Sequence, residues 1–220
     1  MKKMLLTILA FTLGTGIWAQ DGLGVFVGGT FSKVPVEGDT GIEAGVFSRY
    51  HVGLAYKVPL FLGFAVQPQL QYNVKGTVRT TDRPSPAMRS FDLRMGYAEA
   101  AVQLQWGPDL LLMRPYLFVE PFIGMATDNK VTAAPYEGAA AISRKNYWDY
   151  LSRMDYGFGL GAGLEVMDRV QLSARFFWNG GSLYNGENRI TVDDYFQYLG
   201  QLFREKEHFS GVSVTLGVFF

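Results

Sequence analysis

Apolar and polar side chains alternate almost residue by residue between Leu62 and Lys75. One face carries Leu62, Phe64, Val66, Pro68, Leu70, Tyr72 and Val74, and the other carries Gly63, Ala65, Gln67, Gln69, Gln71, Asn73 and Lys75. Successive side chains on a β-strand point to opposite faces, so the pattern predicts one long strand with an apolar and a polar face. Four amides and an ammonium are too many polar groups for a soluble core without partners. We therefore expect the apolar face to contact lipid and the polar face to line the interior of a membrane β-barrel.

Eight segments share this alternation, and the connections between them differ in length. The segments are Gly22–Ser32, Ile42–Lys57, Leu62–Lys75, Phe91–Trp106, Pro115–Ala126, Met154–Val166, Arg169–Asn179 and Val212–Phe220. The short connections are Val58–Phe61, Gly107–Arg114 and Met167–Asp168; the longer ones are Lys33–Gly41, Arg79–Ser90, Thr127–Arg153 and Gly180–Phe209. Outer-membrane barrels have short periplasmic turns and long external loops. The chain is thus predicted to be all-β, an eight-stranded antiparallel up-and-down transmembrane β-barrel of the bacterial outer membrane with both termini in the periplasm.

The first residues predict an export signal. Two lysines precede the mainly apolar run Met4–Ile17, and Ala19 lies where a signal peptidase would cut. The run is shorter than the roughly 20 residues that a transmembrane helix needs. We predict a signal peptide over residues 1–19 and one barrel domain over residues 20–220. Charges, amides or prolines interrupt every later apolar run, so no membrane helix is predicted there.

The last residues predict a terminal strand that the barrel assembly machinery recognises. Val212, Val214, Leu216, Val218 and Phe220 share one face, and the sequence closes on the aromatic residue. We assign Leu216, Val218 and Phe220 as the assembly signal. The alternative is an ordinary final strand of a soluble sheet, but a bare apolar edge would be an aggregation hazard in water.

Composition limits the function classes. The chain contains no cysteine, which excludes disulfides and a cysteine-linked lipid anchor. Its formal net charge is +0 and it has no basic patch, so no nucleic-acid partner is expected. The expected partners are outer-membrane lipid, the barrel assembly machinery during biogenesis, and either an external protein or glycan or a component of a secretion machine.

The polar faces predict a charged interior. The inward-facing ionisable residues are Lys57, Lys75, Glu99, Glu120, Asp155, Glu165 and Arg175. An eight-stranded barrel is just wide enough for side chains to fill it. We therefore expect a structural network of ion pairs and hydrogen bonds, with a narrow polar conduit as the alternative. The inward glycines of Met154–Val166 offer room for large side chains from across the barrel, such as Phe122 or Arg175.

No constellation of residues predicts catalysis, and we expect no enzyme, cofactor or metal site. The two histidines, His51 and His208, lack the spacing of a triad or a zinc pair. Gly157, Gly159 and Ala162 match the spacing of a dinucleotide fingerprint, but no helix pattern follows.

The two longest connections are candidates for partner binding. Thr191–Glu207 reads as an amphipathic helix, and Lys145–Arg153 is similarly amphipathic. The candidate binding residues are Tyr147, Trp148, Tyr150, Phe196, Leu199 and Phe203. These apolar stripes either pack on each other and close the external mouth, or form a surface that receives a partner protein or glycan.

Four stretches resemble the PorT-like family of small outer-membrane β-barrels. They are GVFVGGTFS at Gly24–Ser32, VQPQLQYNVKG at Val66–Gly76, RPYLFVEPFIG at Arg114–Gly124, and MDYGFGLGAGLEV followed by VQLSARF. The family commonly has a glutamate after the proline of the third strand, where this chain has Gln69, so a charge pair at that position is not carried over. The resemblance implies a barrel and a membrane, and some relatives assist protein secretion.

Three functions are weighed on this basis. The first is a non-enzymatic outer-membrane protein whose barrel anchors external loops for binding or structural support, with a filled lumen. The second, suggested by the resemblance, is an accessory component of a secretion or envelope-assembly machine. The third is a soluble lipocalin-like ligand carrier, which requires the apolar faces turned inward and the glutamines turned to water.

Overall fold

The structure, a computed structural model, describes residues 22–34, 42–81, 90–134, 142–146, 148, 151–183 and 208–220. The predicted signal peptide and the helix predicted over Thr191–Glu207 lie outside these residues. Within the described part of the chain, no helix is long and apolar enough to cross a membrane.

Strands account for most of the described residues. They are β1 Leu23–Lys33, β2 Ile42–Gly45, β3 Phe47–Tyr56, β4 Val58–Pro59, β5 Phe64–Thr81, β6 Ser90–Trp106, β7 Met113–Ala134, β8 Ile142–Lys145, β9 Met154–Val166, β10 Val170–Asn179 and β11 Ser210–Phe219. The barrel wall consists of β1, β3, β5, β6, β7, β9, β10 and β11, each antiparallel to its neighbours in chain order. β1 pairs with β11 and closes the ring. The predicted eight-stranded antiparallel up-and-down barrel is confirmed.

The two ends of the barrel differ. The first described residues and the last ones meet at one of them, where Gly22 N–H donates to Phe220 O at 3.3 Å and Phe220 N–H donates to Leu23 O at 2.8 Å. The three short turns, around residues 57–63, 107–112 and 167–169, lie at this same end, which we call the turn end. The opposite end, where the longer connections leave the barrel, is the loop end.

The structure corrects the boundaries of several predicted strands. The segment predicted as one strand over Ile42–Lys57 is interrupted at Val46 and ends one residue early, at Tyr56, and β4 lies within the predicted connection Val58–Phe61. The strand predicted to end at Lys75 continues to the end of β5. None of these differences changes the number of strands in the wall.

The prediction that Thr127–Arg153 is a connection is wrong for its first part. β7 continues to its last residue, Ala134, and β8 pairs with it. The reason is a β-bulge, because Gly96 pairs with Asp128 and Tyr97 with Ala126, which leaves Thr127 as an extra residue. The extra residue shifts the inward–outward phase by one position, so the alternation that predicted the strand stops there.

Apolar side chains face outward and amides face inward on the wall. Phe64, Leu70 and Leu160 are 47%, 65% and 43% exposed. Gln67, Gln69 and Gln71 are buried inside the barrel. The lipocalin-like alternative required the opposite arrangement and is therefore excluded.

The polarity of the two faces inverts partway along β6. Towards the turn end, Ala98, Ala100, Val102, Leu104 and Trp106 face outward. Towards the loop end, the outward residues are Asp92 and Arg94, and the inward residues include Phe91, Leu93 and Met95. Partial burial raises the pKa of the Asp92 carboxyl above its ordinary value, against the opposing effect of three nearby cations. The first arrangement suits lipid and the second suits water, so the strand leaves the hydrocarbon near the bulge.

Candidate functional site

A buried lysine occupies the centre of the barrel interior. Lys75 Nζ lies 2.8 Å from Glu99 Oε1 and 2.7 Å from Asp155 Oδ2. It also lies 5.3, 4.5 and 5.1 Å from the ring centroids of three buried aromatic side chains, which are Tyr97, Phe122 and Phe177. Two carboxylates and three aromatic faces together compensate an ammonium that would otherwise be strongly destabilised by burial.

A second ion pair lies on the turn-end side of Lys75. Arg175 Nη1 pairs with Glu120 Oε1, and the other oxygen of Glu120 accepts a hydrogen bond of 2.7 Å from Gln103 Nε2. A Cβ placed on Gly159 would lie 2.7 Å from Arg175 Cδ, and one placed on Gly157 would lie 2.8 Å from Phe122 Cζ. The glycines of β9 therefore provide the space that the sequence predicted for these two large side chains.

A third cluster closes the interior at the turn end. Lys57 pairs with Glu165, whose second oxygen accepts a 2.7 Å hydrogen bond from Gln171. Arg114 lies 3.7 Å from the same carboxylate, donates to Gln105 at 3.0 Å and to the carbonyl of Gly63 at 2.9 Å. The guanidinium thus connects the ion pair to the base of a turn.

Sequence reasoning did not include Arg114 among the interior residues. The predicted strand began at Pro115 and left Arg114 in a turn, whereas β7 begins at Met113. The signal was available, because Arg114 has the same phase as Tyr116, Phe118 and Glu120. Extending the predicted strand by one residue towards the N-terminus would have placed it inside.

All seven predicted interior residues point inward and contact an opposite charge. Lys75 contacts both Glu99 and Asp155, Arg175 contacts Glu120, and Lys57 contacts Glu165. Each of the four carboxylates lies against a cation: Lys75 contacts two of them, and Arg114 adds a fourth cation beside Glu165. Such pairing avoids the high energetic cost of an isolated buried charge.

The interior becomes apolar towards the loop end. The buried side chains here, which we call the apolar cap, are Val34, Phe91, Leu93, Met95, Tyr97, Ala101, Phe122, Ala126, Val131, Leu151, Phe177, Leu183 and Phe209. The sequence pattern already placed Phe122 and Phe177 inward, but it did not predict the part of the cluster that Phe91, Leu93 and Met95 of β6 contribute. The cap forms where the polarity of β6 inverts, and that inversion was visible in the sequence.

His51 is buried in a hydroxyl-rich setting. Its Nδ1 lies 2.9 Å from Thr30 Oγ1 and its Nε2 lies 2.9 Å from Thr215 Oγ1. Thr30 Oγ1 also donates to Asn73 Oδ1 at 2.9 Å. Neither ring nitrogen has a carboxylate among these partners, and His208 is exposed at the start of the segment leading to β11. The arrangement does not form a nucleophile–base–acid series.

Among the described residues, no group of three or more His, Cys, Asp or Glu side chains is arranged to hold a metal ion.

Trp148 is the one predicted loop residue that the structure describes. It is partly buried against the apolar cap, and the Arg153 guanidinium carbon lies 4.5 Å from its ring centroid. The other five candidates, Tyr147, Tyr150, Phe196, Leu199 and Phe203, lie outside the described residues. The Trp148 side chain packs onto the barrel interior, and the choice between a closed mouth and a binding surface stays a prediction.

The predicted assembly signal lies on the lipid-facing surface. Leu216, Val218 and Phe220 all point outward and are exposed. Their strand, β11, is paired on both sides, with β1 and with β10.

Two neighbouring turns at the turn end carry unusual apolar tips. Leu60, Phe61 and Leu62 form one tip, and Leu111 and Leu112 belong to the other; all are exposed, Leu62 to 81%. Leu62 and Leu111 also adopt positive φ angles of 57° and 45°, a region that leucine rarely occupies. Solvent exposure and a positive φ are both unfavourable for leucine, so stability does not explain why leucine occupies these positions.

Comparison with known proteins gave one match to a family and several to structures. A family model described as an outer membrane protein beta-barrel domain matches residues 18–184, more than half of the chain. Neisserial surface protein A is 14% identical, with a TM-score of 0.42, over 90% of this chain and 97% of that one. Ail, the attachment invasion locus protein of Yersinia pestis, is 11% identical, with a TM-score of 0.41, over 91% and 99%. OprG from Pseudomonas aeruginosa is 13% identical, with a TM-score of 0.43, over 93% and 99%. No curated protein matches the sequence.

Proposed function

The chain belongs to the family of outer membrane protein beta-barrel domains, and from that membership we propose that it is a non-enzymatic anchor whose barrel holds external segments for binding or structural support. The observation that carries this proposal is the filled interior. Paired charges occupy the centre and the turn end, and the apolar cap occupies the loop end. A barrel packed in this way suits a scaffold, because the side chains of the described residues leave no wide passage for solutes.

Planar bilayer recordings test the sealed interior. We expect the purified full-length protein to give no large, stable open current. Phe177→Ala removes a buried side chain of the apolar cap and is expected to increase ion leakage. Phe176→Ala, one residue away and outward-facing, is the matched control and should leave the barrel sealed. Sustained large currents through the unaltered protein would contradict the proposal.

The binding role is proposed for the segments at the loop end. The expected partner is an external protein or glycan, received by the apolar stripes that include Phe196, Leu199 and Phe203. A variant with these three residues changed to serine should lose binding to a cell-surface or glycan array while keeping heat-modifiable migration on gels. Equal binding by the variant and the unaltered protein would remove these segments from the proposal.

A second candidate function is an accessory role in a secretion or envelope-assembly machine, in line with the PorT-like resemblance. The exposed apolar tips at Phe61–Leu62 and Leu111–Leu112 favour it, since contiguous exposed apolar surface often marks a protein contact. A photo-crosslinking residue at Leu111 should capture a periplasmic protein in intact cells, whereas one at Asp168, in the third turn, should not. Failure to capture a protein at Leu111 would count against this role.

A further inference from the structure

Two prolines interrupt the hydrogen-bonded wall on one side of the barrel. The register of β3 with β5 runs to Ala55–Gln69 and resumes, through β4, at Val58–Val66. The missing pairs lie at Pro68. The register of β6 with β7 skips from Ala101–Phe122 to Leu104–Val119, and the missing pairs include the position of Pro121. A proline has no N–H to donate, so each of these positions lacks a rung of the ladder.

The two prolines lie on either side of a single residue of β6. Val102 pairs with Pro68 on one side, and the flanking register places Pro121 on its other side. Both prolines, Val102 and the nearby Ala100 face outward. These short or rigid side chains leave the lipid-facing surface lower here than beside the larger residues around them.

An apolar groove of about 660 Å³ occupies this depression. Its floor consists of Ala100, Val102 and the prolines, and its sides include Leu54, Leu70 and Ile123. Among the described residues that line it none is charged, and it extends towards the turn end as far as Leu23 and Tyr56. The groove therefore runs from the turn end to about the middle of the lipid-facing wall, along the leaflet on the turn-end side.

We propose that this groove is a specific seat for one acyl chain of a lipid in that leaflet. The groove is continuous with the lipid-facing belt, so hydrocarbon is the medium that already surrounds it. A second barrel has a convex wall, which would span the groove without entering it and leave an unfilled space. The side chains around that space would lose dispersion contacts. A single flexible chain can follow the depression and restore those contacts. The proposal rests on the outer-membrane placement and not on the role of the external segments.

Photo-crosslinking with a defined lipid tests the seat. The full-length protein is reconstituted in vesicles of phosphatidylethanolamine and phosphatidylglycerol that contain a phospholipid with a diazirine at mid-chain. Labelling per residue should be about tenfold higher on the groove segments of β5, β6 and β7 than on outward residues of β10 and β11, a preference of about 1.4 kcal/mol. Uniform labelling around the belt would overturn the proposal.

A matched pair of variants separates the groove from general lipid contact. Ala100→Trp fills the floor and should reduce groove labelling to the level of the rest of the belt. Ala174→Trp, outward-facing on β10, should leave the excess unchanged. If Ala100→Trp does not show heat-modifiable migration, Ala100→Leu takes its place. Undiminished labelling in the folded groove variant would refute the seat.

Discussion

At the scale of single residues, the interior depends most on Lys75. Its ammonium lies within 2.8 Å of two carboxylates, and no other cation is recorded within ion-pair distance of either carboxylate among the described residues. Removing one partner of a buried pair leaves the other charge uncompensated, which costs far more than the pair itself contributes. Substituting Lys75 should therefore lower the stability of the whole barrel.

Lys75→Met should lower the free energy of unfolding by about 3–5 kcal/mol, because Glu99 and Asp155 then remain buried without a cation. Urea unfolding in lipid vesicles, followed by tryptophan fluorescence, measures the change. Lys33→Met, at an exposed position at the end of β1, is the matched control and should have little effect. The triple variant that also carries Glu99→Gln and Asp155→Asn should recover most of the loss. A triple variant as unstable as Lys75→Met alone would show that packing, not charge, is responsible.

The turn at Leu111 offers a second test at this scale. Leu111→Asn should raise the free energy of unfolding by about 1 kcal/mol, because asparagine tolerates a left-handed backbone better than leucine. Leu112→Asn removes a similar exposed side chain from a residue without a positive φ, and should leave stability almost unchanged. The same urea assay compares the two. Equal gains in both variants would attribute the effect to lost apolar exposure and not to the backbone.

At the scale of elements, period-two alternation predicted the strands well and their ends poorly. It located β9 over its observed range and gave the inward phase of Lys75, Glu99 and Arg175, because phase is fixed wherever one face meets lipid. The alternation failed as a guide at Thr127, where one extra residue shifts the inward–outward phase. The strand continues there, but its sequence no longer alternates regularly. The loop-end part of the apolar cap was missed for a related reason: beyond the bulge the same alternation places apolar residues, such as Leu93 and Met95, inside the barrel.

The glycines of β9 provide a test of how tightly the wall and interior fit. A Cβ on Gly161 would collide with the ring of Phe118 and with the carbonyl oxygen of Ala174. Gly161→Val should therefore lower the free energy of unfolding by about 1–3 kcal/mol. Ala162→Val, the next residue and outward-facing, adds the same kind of bulk towards lipid and should be tolerated. The temperature at which each variant loses its heat-modifiable gel mobility distinguishes them, and equal temperatures would contradict the expected fit.

At the scale of the whole molecule, the orientation in the membrane is a prediction of loop length. The chain lacks cysteine, so a single introduced thiol can be labelled without background. Cysteine in place of Lys145, exposed at the loop end, should react with a membrane-impermeant maleimide on intact cells. Cysteine in place of Leu111, at the turn end, should react only after the outer membrane is permeabilised. The reverse pattern would place the termini outside the cell.

The pairing of β1 with β11 has a consequence for how the protein is made. Gly24 lies opposite Phe219, so the ring is closed by the two wall strands that are farthest apart along the chain. A premature stop codon that removes β11 alone would leave two bare strand edges, one on each side of the gap. The remaining strands of the wall could not close into a ring while they keep their present register. Closure of the barrel therefore depends on the last strand of the wall, and a variant without β11 is expected to fail to assemble.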